Sequence, residues 1–285
     1  AIRSIGPGWY LTPKNPANAG LTAAQKAANE RIIDSLRNSN VDWTDYFFRQ
    51  GQFQQHEVNA SGGSEKLRFY SSLSYLDQDG IAFNSYLERY TFRNNLDFNH
   101  KKFSASFNTS FGYSNSRFIN AENSTGILNP FSSVYYALPY EKPYINGKLY
   151  HTGNYTTAPV TIHDYREGSD ALERALNSIN RSNQLKGTVN TTLRYQITNN
   201  LSVSTLLGVD FRETNATSFV RPDTYSGSTV TNGRKGSFGE GMTRSLQVVS
   251  TSTLRYVKSI NKHDFDVSGI FELNRNRFKN FSYTG

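Results

Sequence analysis

Residues 103–118, FSASFNTSFGYSNSRF, alternate almost without error. Phe103, Ala105, Phe107, Thr109, Phe111 and Tyr113 fall on one register, and Ser104, Ser106, Asn108, Ser110 and Ser114 on the other. A period of two marks a strand with one apolar and one polar face. The run lasts about fifteen residues, against about five or six in an ordinary strand. The same period recurs along the chain. Leu67, Phe69, Leu73 and Tyr75 share a face, as do Tyr86, Tyr90, Phe92, Leu96 and Phe98, which oppose Arg89, Thr91, Arg93, Asn95 and Asp97. Leu185, Val189, Leu193, Tyr195 and Ile197 oppose Lys186, Thr188, Asn190, Thr192 and Arg194, and Leu201, Val203, Leu207, Val209 and Phe211 follow. With residues 54–61, 245–257 and 264–277, the alternation predicts about eight long strands.

A different period appears in residues 22–38. Ala24, Ala28, Ile32 and Leu36 recur every four positions, and Thr22 with Gln25 has the form of a capping box, so a helix is expected there. A second, short helix is expected around SDALERALNSI.

The connections alternate strictly between tight and long. Tight turns are expected at His100–Lys101, Thr198–Asn200 and Asn261–His263, and long loops over residues 119–183 and 214–242. An antiparallel up-and-down ribbon with one plain rim and one elaborated rim gives this layout, as in outer-membrane β-barrels. The polar register carries more Arg, Asp, Asn and Lys than a dry core accepts unpaired. The apolar register is thin but continuous. Phe98 and Phe103 flank one tight turn, and Tyr256 and Phe265 another, as in an interfacial girdle. The pattern therefore predicts an all-β, transmembrane antiparallel barrel wall, with the lipid bilayer against Phe107, Phe111, Leu193 and Val203. Arg93, Asn108, Asn190 and Arg194 then face a wet lumen. The organisation reads as an external loop with a short helix (1–53), barrel strands (54–118), a long external loop (119–183), and strands with a further external loop (184–285).

Composition agrees with a thin apolar surface rather than a thick core. Hydrophobic residues make up 36% and aromatics 14%, and the mean hydropathy is −0.61. No run of about twenty apolar residues exists, so a membrane helix is excluded. The chain opens without a basic-then-apolar leader and reads as a mature or truncated segment. The net charge of +8 is scattered, with no run of five Lys or Arg, and nucleic acid is not expected as a partner. Cysteine is absent, which removes disulfides, thiolate metal sites and thiol nucleophiles.

Residues 41–81 carry a resemblance. DWTDYFFR, the HEVNASGGSEK strand and turn, and YSSLSYLDQDG resemble the SusC/RagA family of TonB-linked outer-membrane transporters of Bacteroidetes. ERYTFRNNLDF and NPFSSVYYALPY fit the same family less tightly. The resemblance implies a barrel of about twenty-two strands with an N-terminal plug, of which this chain is an internal piece. It implies a SusD-like surface lipoprotein as lid, TonB acting through a plug region not present here, and import of oligosaccharides or peptides across the outer membrane of a Gram-negative bacterium. A closed eight-stranded barrel is the alternative architecture. A non-transporting adhesin or scaffold barrel, or a siderophore receptor, is the alternative function.

No enzyme motif is present. The five histidines are dispersed, and HEVNA is not the H-E-x-x-H helix motif, so neither metal nor cofactor is expected. Asp77 and Asp79 before Gly80 imitate the start of a calcium loop but lack its later ligands, and a hairpin turn explains them. Gly236, Gly239 and Gly241 lack the strand-to-helix context of a phosphate cradle. The candidate contacts for substrate or lid are Tyr135, Tyr136, Tyr140, Tyr144, Tyr150 and Tyr155, crowded into one loop. A tyrosine joins a flat apolar face to a polar tip, useful for sugars or peptides. Packing of the loop against its neighbours is the competing account of the same residues.

Overall fold

The computed structural model describes residues 11–118, 129–145, 147–149, 153–157, 160–164, 167–228 and 233–285. Eight strands form one antiparallel sheet: β1 (Gln52–Gly63), β2 (Leu67–Asp79), β3 (Tyr86–His100), β4 (Phe103–Arg117), β9 (Ser178–Gln196), β10 (Leu201–Val220), β11 (Ser237–Ile260) and β12 (His263–Thr284). Each pairs with its neighbour in that order, and β1 and β12 are the two edges. Between β4 and β9 lie two short ribbons, β5 (Tyr144–Ile145) with β6 (Lys148–Leu149) and β7 (Gly153–Thr157) with β8 (Val160–Asp164). A short 3-10 helix (Pro16–Asn18) and four α-helices complete the described elements: α1 (Ala23–Arg37), α2 (Thr44–Phe47), α3 (Pro130–Tyr136) and α4 (Glu167–Asn177). No helix among the described residues is long and apolar enough to cross a membrane, which says nothing of crossing by strands.

The register turns the sequence periodicity into two faces. One row runs Phe69–Leu96–Phe107–Thr191–Leu207–Ser250–Leu273 across β2 to β12. The row one residue away runs Tyr70–Asn95–Asn108–Asn190–Gly208–Val249–Asn274. Because side chains alternate, every odd-numbered residue of β4 and β9 shares the first face and every even-numbered one the second. Phe107, Phe111, Leu193 and Val203 thus share the apolar face, and Arg93, Asn108, Asn190 and Arg194 the polar one.

All four tight turns, including residues 64–66, lie on one rim. Lys101 and Asn261 adopt left-handed backbone there, with φ of 52° and 55°. The connections at 80–85, 118–177 and 221–236 lie on the other rim. The strands run further toward the long-loop rim than their alternation indicates. The loop expected at 214–242 contracts to 221–236, and β9 begins at Ser178 inside the segment read as 119–183. In these extensions Asn215, Thr217 and Ser218 on β10, and Gly239, Glu240 and Gly241 on β11, supply no apolar register, so the ladder continues without the pattern that reveals it.

Helix α1 forms as expected. Thr22 donates its backbone N–H to Gln25 Oε1 at 2.9 Å, and Gln25 N–H donates to Thr22 Oγ1 at 3.3 Å. Its apolar stripe is not packed, however. No residue of α1 is buried, and Ile32 is 47% exposed.

Candidate functional site

The sheet presents two surfaces that matter for function, a banded outer face and a polar wall, and a small cap sits over the long-loop rim. On the apolar face two aromatic rows bound the band. Tyr75, Tyr90 and Tyr113 stand in register near the long-loop side, Tyr75 and Tyr90 with ring centroids 5.0 Å apart. Phe98 and Phe103 stand at the tight-turn side, 6.2 Å apart. Tyr113 and Phe103 are ten positions apart on β4 (113 minus 103). At about 3.3 Å per residue and about 40° of tilt that is roughly 25 Å of height, the apolar band of an outer-membrane barrel.

The polar face holds a hollow of about 390 Å³, lined by Arg89, Thr91, Arg93, Ser110, Ser114 and Lys186 among others. Lys186 stands directly opposite Arg212 on β10. Arg89, Arg93, Lys186 and Arg212 make no ion pair among the described residues. Like charges across a strand pair repel, and the small Ser and Thr side chains and Gly112 around them leave room for water or solute. A wet, cation-bearing wall results.

The cap has its own small core. Trp43 and Phe47, from the DWTDYFFR stretch, are buried with Ala171 and Leu172 of α4, and Val134, Ala137 and Leu149 pack against them. The Trp43 indole N–H donates to the Leu138 carbonyl at 3.0 Å, and Val41 N–H donates to Pro139 O at 2.7 Å. A Cβ on Gly168 would meet the Ala137 Cβ at 2.7 Å and the Trp43 ring at 2.9 Å, so only glycine lets α4 approach this closely. Asp42 Oδ1 accepts Thr44 N–H at 2.9 Å and the Thr44 hydroxyl at 2.5 Å, starting α2. Those bonds, the hydroxyl first, hold the Asp42 carboxyl below its usual range.

Three side chains tie the cap to the sheet. Arg49 reaches Asp79 Oδ1 at 2.6 Å, Ser85 O at 2.9 Å and Gly80 O at 3.2 Å, pinning the β2–β3 loop. Arg117, at the end of β4, donates to Ser178 O at 2.7 Å and Ala175 O at 3.2 Å, capping carbonyls at the end of α4. Buried Glu173 accepts the N–H groups of Tyr225 at 3.0 Å and Ser226 at 3.1 Å, together with the Ser226 hydroxyl, and so grips the β10–β11 loop. The cavity between cap and sheet is about 50 Å³, too small for a sugar ring.

The tyrosines expected as contacts divide. Tyr135 is 80% exposed, and its ring meets Tyr136 edge-on at 5.3 Å. Tyr136 and Tyr140 are half-buried. Tyr144 packs at 6.4 Å against Tyr46, a partner the local density of tyrosines does not reveal. Tyr155 pairs with Ile162 in the β7–β8 ribbon, and Tyr150 lies outside the described residues. Asp77 and Asp79 occupy the end of β2, where Asp77 accepts from Gln54 at 3.0 Å and Asp79 from Arg49. Among the described residues no group of His, Asp and Glu is arranged to hold a metal.

No family model matches the chain. Among curated proteins, the TonB-dependent receptor SusC of Bacteroides thetaiotaomicron is 25% identical over 259 residues, covering 86% of this chain and 25% of that protein. A TonB-dependent receptor of Formosa agariphila is 34% identical over 89 residues, or 31% of this chain and 9% of the receptor. Among solved structures, the RagAB peptide transporter superposes with a TM-score of 0.63 at 21% identity, covering 87% of this chain and 30% of that one. The RagAB peptide importer in its closed-closed state gives 0.61. Over most of its length the chain is similar to a segment of SusC and shares the fold of a segment of RagAB. It spans about a quarter of the length of SusC and 30% of the RagAB chain. The shared fold accounts for the two-faced sheet as a stretch of barrel wall.

Proposed function

We propose that the chain forms part of the wall and outer cap of a TonB-dependent transporter in the outer membrane of a Gram-negative bacterium. The cargo is oligosaccharide or peptide, delivered with a SusD-like surface lipoprotein as lid. The supporting observation is a single sheet whose apolar face is bounded by two aromatic rows while its opposite face bears Arg89, Arg93 and Lys186 around an open hollow, with Arg212 beside Lys186. A closed eight-stranded barrel would have to pair those cations inside a nearly filled lumen, and β1 and β12 would have to meet. Instead both are edges, and an edge in lipid leaves backbone groups costing several kcal/mol each. In the complete protein these edges pair with further strands of a wider barrel, which surrounds a plug that TonB engages.

Within this reading Tyr135, Tyr136, Tyr140, Tyr144, Tyr150 and Tyr155 are candidate contacts for lid or substrate, of which Tyr135 and Tyr144 are exposed. The test uses the full-length protein in its native outer membrane. Affinity purification is expected to bring down a lipoprotein encoded beside it, and deletion of the gene is expected to abolish uptake of one class of oligosaccharide or peptide. Tyr135→Ala with Tyr144→Ala is expected to weaken lipoprotein capture or uptake while leaving the barrel in the membrane. Full uptake after deletion sinks the transport reading.

A further inference from the structure

The apolar face changes character along β12. Phe265, Val267, Phe271 and Leu273 continue the band, and the next three residues of that register are Arg275, Arg277 and Lys279. They stand opposite Val248, Leu246 and Arg244 of β11, on the strand that forms the edge of the sheet. Arg244 is neutralised by Glu213 at 2.5 Å, and Glu240, further along, accepts the Tyr283 hydroxyl at 2.5 Å. Arg275, Arg277 and Lys279 make no ion pair among the described residues. Successive residues on one face lie about 7 Å apart, so the three charges form a row.

The height of this row follows from the register. Phe103, at the lower edge of the band on β4, aligns through Tyr195, Val203 and Leu254 with Gly269 on β12. The lower aromatic on β12 is Phe265, four residues nearer the tight-turn rim (269 minus 265). Tyr113, at the upper edge, aligns through Leu185, Glu213 and Arg244 with Lys279. Carried down by the same four residues, the upper edge on β12 falls at Arg275. The cations therefore begin where the band ends, on the side facing lipid. At that height long basic side chains reach the headgroups, and an arginine fork fits two phosphate oxygens at once. Three adjacent like charges at that height, none paired from β11 or β12 themselves, suit an anionic headgroup.

We propose that Arg275, Arg277 and Lys279 bind the phosphate headgroup of an anionic lipid in the leaflet on the long-loop side. The inference rests on the membrane reading above.

The test uses full-length protein in lipid nanodiscs, as wild type and as the triple variant Arg275→Gln, Arg277→Gln, Lys279→Gln. The probes are phosphorylated lipid A and the same lipid with its phosphates removed, counted on the protein by native mass spectrometry. Wild type is expected to retain the phosphorylated form, with roughly five-fold weaker binding for each charge removed. Arg275→Lys with Arg277→Lys, which keeps the charges but not the forks, is expected to bind more weakly than wild type and more tightly than the triple variant. Equal retention by wild type and triple variant overturns the proposal, as does equal retention of both lipid forms by wild type. A failure of the membrane reading is seen earlier and separately, because the wild-type protein would then not enter nanodiscs at all.

Discussion

Trp43 donates its indole N–H to the carbonyl of Leu138 at 3.0 Å, closing the cap over 95 positions of chain. The same ring packs against α4, so Trp43 carries both the polar and the apolar link between the segment before β1 and the segment between β4 and β9. Trp43→Ala is expected to destabilise the cap by about 3–5 kcal/mol, the usual loss for a buried Trp truncation. Trp43→Phe, which keeps much of the packing but not the donor, should cost about 1 kcal/mol. Limited proteolysis of whole cells reads the difference. The alanine variant should be cut within residues 129–177, while the phenylalanine variant resists and both retain an intact sheet.

Phe107→Arg places a guanidinium on the apolar face between the two aromatic rows. The expected cost is roughly 2–4 kcal/mol, as for lipid-facing charges near the midplane of such barrels. Asn108→Arg, one residue along and on the polar wall, should be close to neutral. Urea titration of the full-length protein in lipid vesicles checks both. Equal losses would mean that the two faces are not lipid and lumen.

Rim orientation has a direct test. A cysteine at Lys148, on the long-loop side, should react with a membrane-impermeant maleimide in whole cells, and one at Asn199, in a tight turn, should not. The chain has no cysteine of its own to confuse the signal. Labelling at Asn199 alone would invert the orientation.

The β10–β11 loop should respond to acid. Arg221 donates to both carboxylate oxygens of Asp223, at 3.0 Å and 2.7 Å, and this bonding holds the Asp223 carboxyl below its usual range. A depressed carboxylate stabilises the folded form above its unfolded pKa, and that contribution is lost as pH falls through the folded value. The protection factor of the amides over residues 221–228, the intrinsic exchange rate divided by the observed rate at the same pH, should therefore stay constant from pH 8 to 5. Protection should fall only below the ordinary carboxylate range of about 4. Asp223→Asn should show the lower protection already at neutral pH.

How much was legible in the chain follows from what each segment faces. Phe103 to Tyr113 alternate because one face meets lipid and the other water, so the strand announces itself. Beyond the outer tyrosine row neither face needs apolar residues. Asn215 to Ser218 accordingly look like loop although they pair with Asn180 to Asn183 and with Gly239 to Met242. The cap was legible only in pieces. Its helix α4 is suggested by local pattern, but nothing near Gly168 says that its missing side chain makes room for a ring 125 positions earlier (168 minus 43). The tyrosine cluster stood out by density alone, and density did not reveal that Tyr144 packs on Tyr46. The cations of the wall were readable as polar-face residues, whereas the facing of Lys186 and Arg212 depends on a register that a sequence does not print.

The pairing order also has a mechanical meaning. Apart from the β4–β9 junction, every strand of the sheet is bonded to the strands beside it in sequence. Tension applied at one end would load a single hairpin ladder at a time rather than shear the whole sheet. Pulled from β12, the sheet should give way as a zip, first β12 and β11 and then β10 and β9, in discrete force steps. At β4 the sequence would pause, because Arg117 and the Trp43 core knot the cap to both sides of that seam. The cap, besides roofing the wall, is the brake on its unravelling.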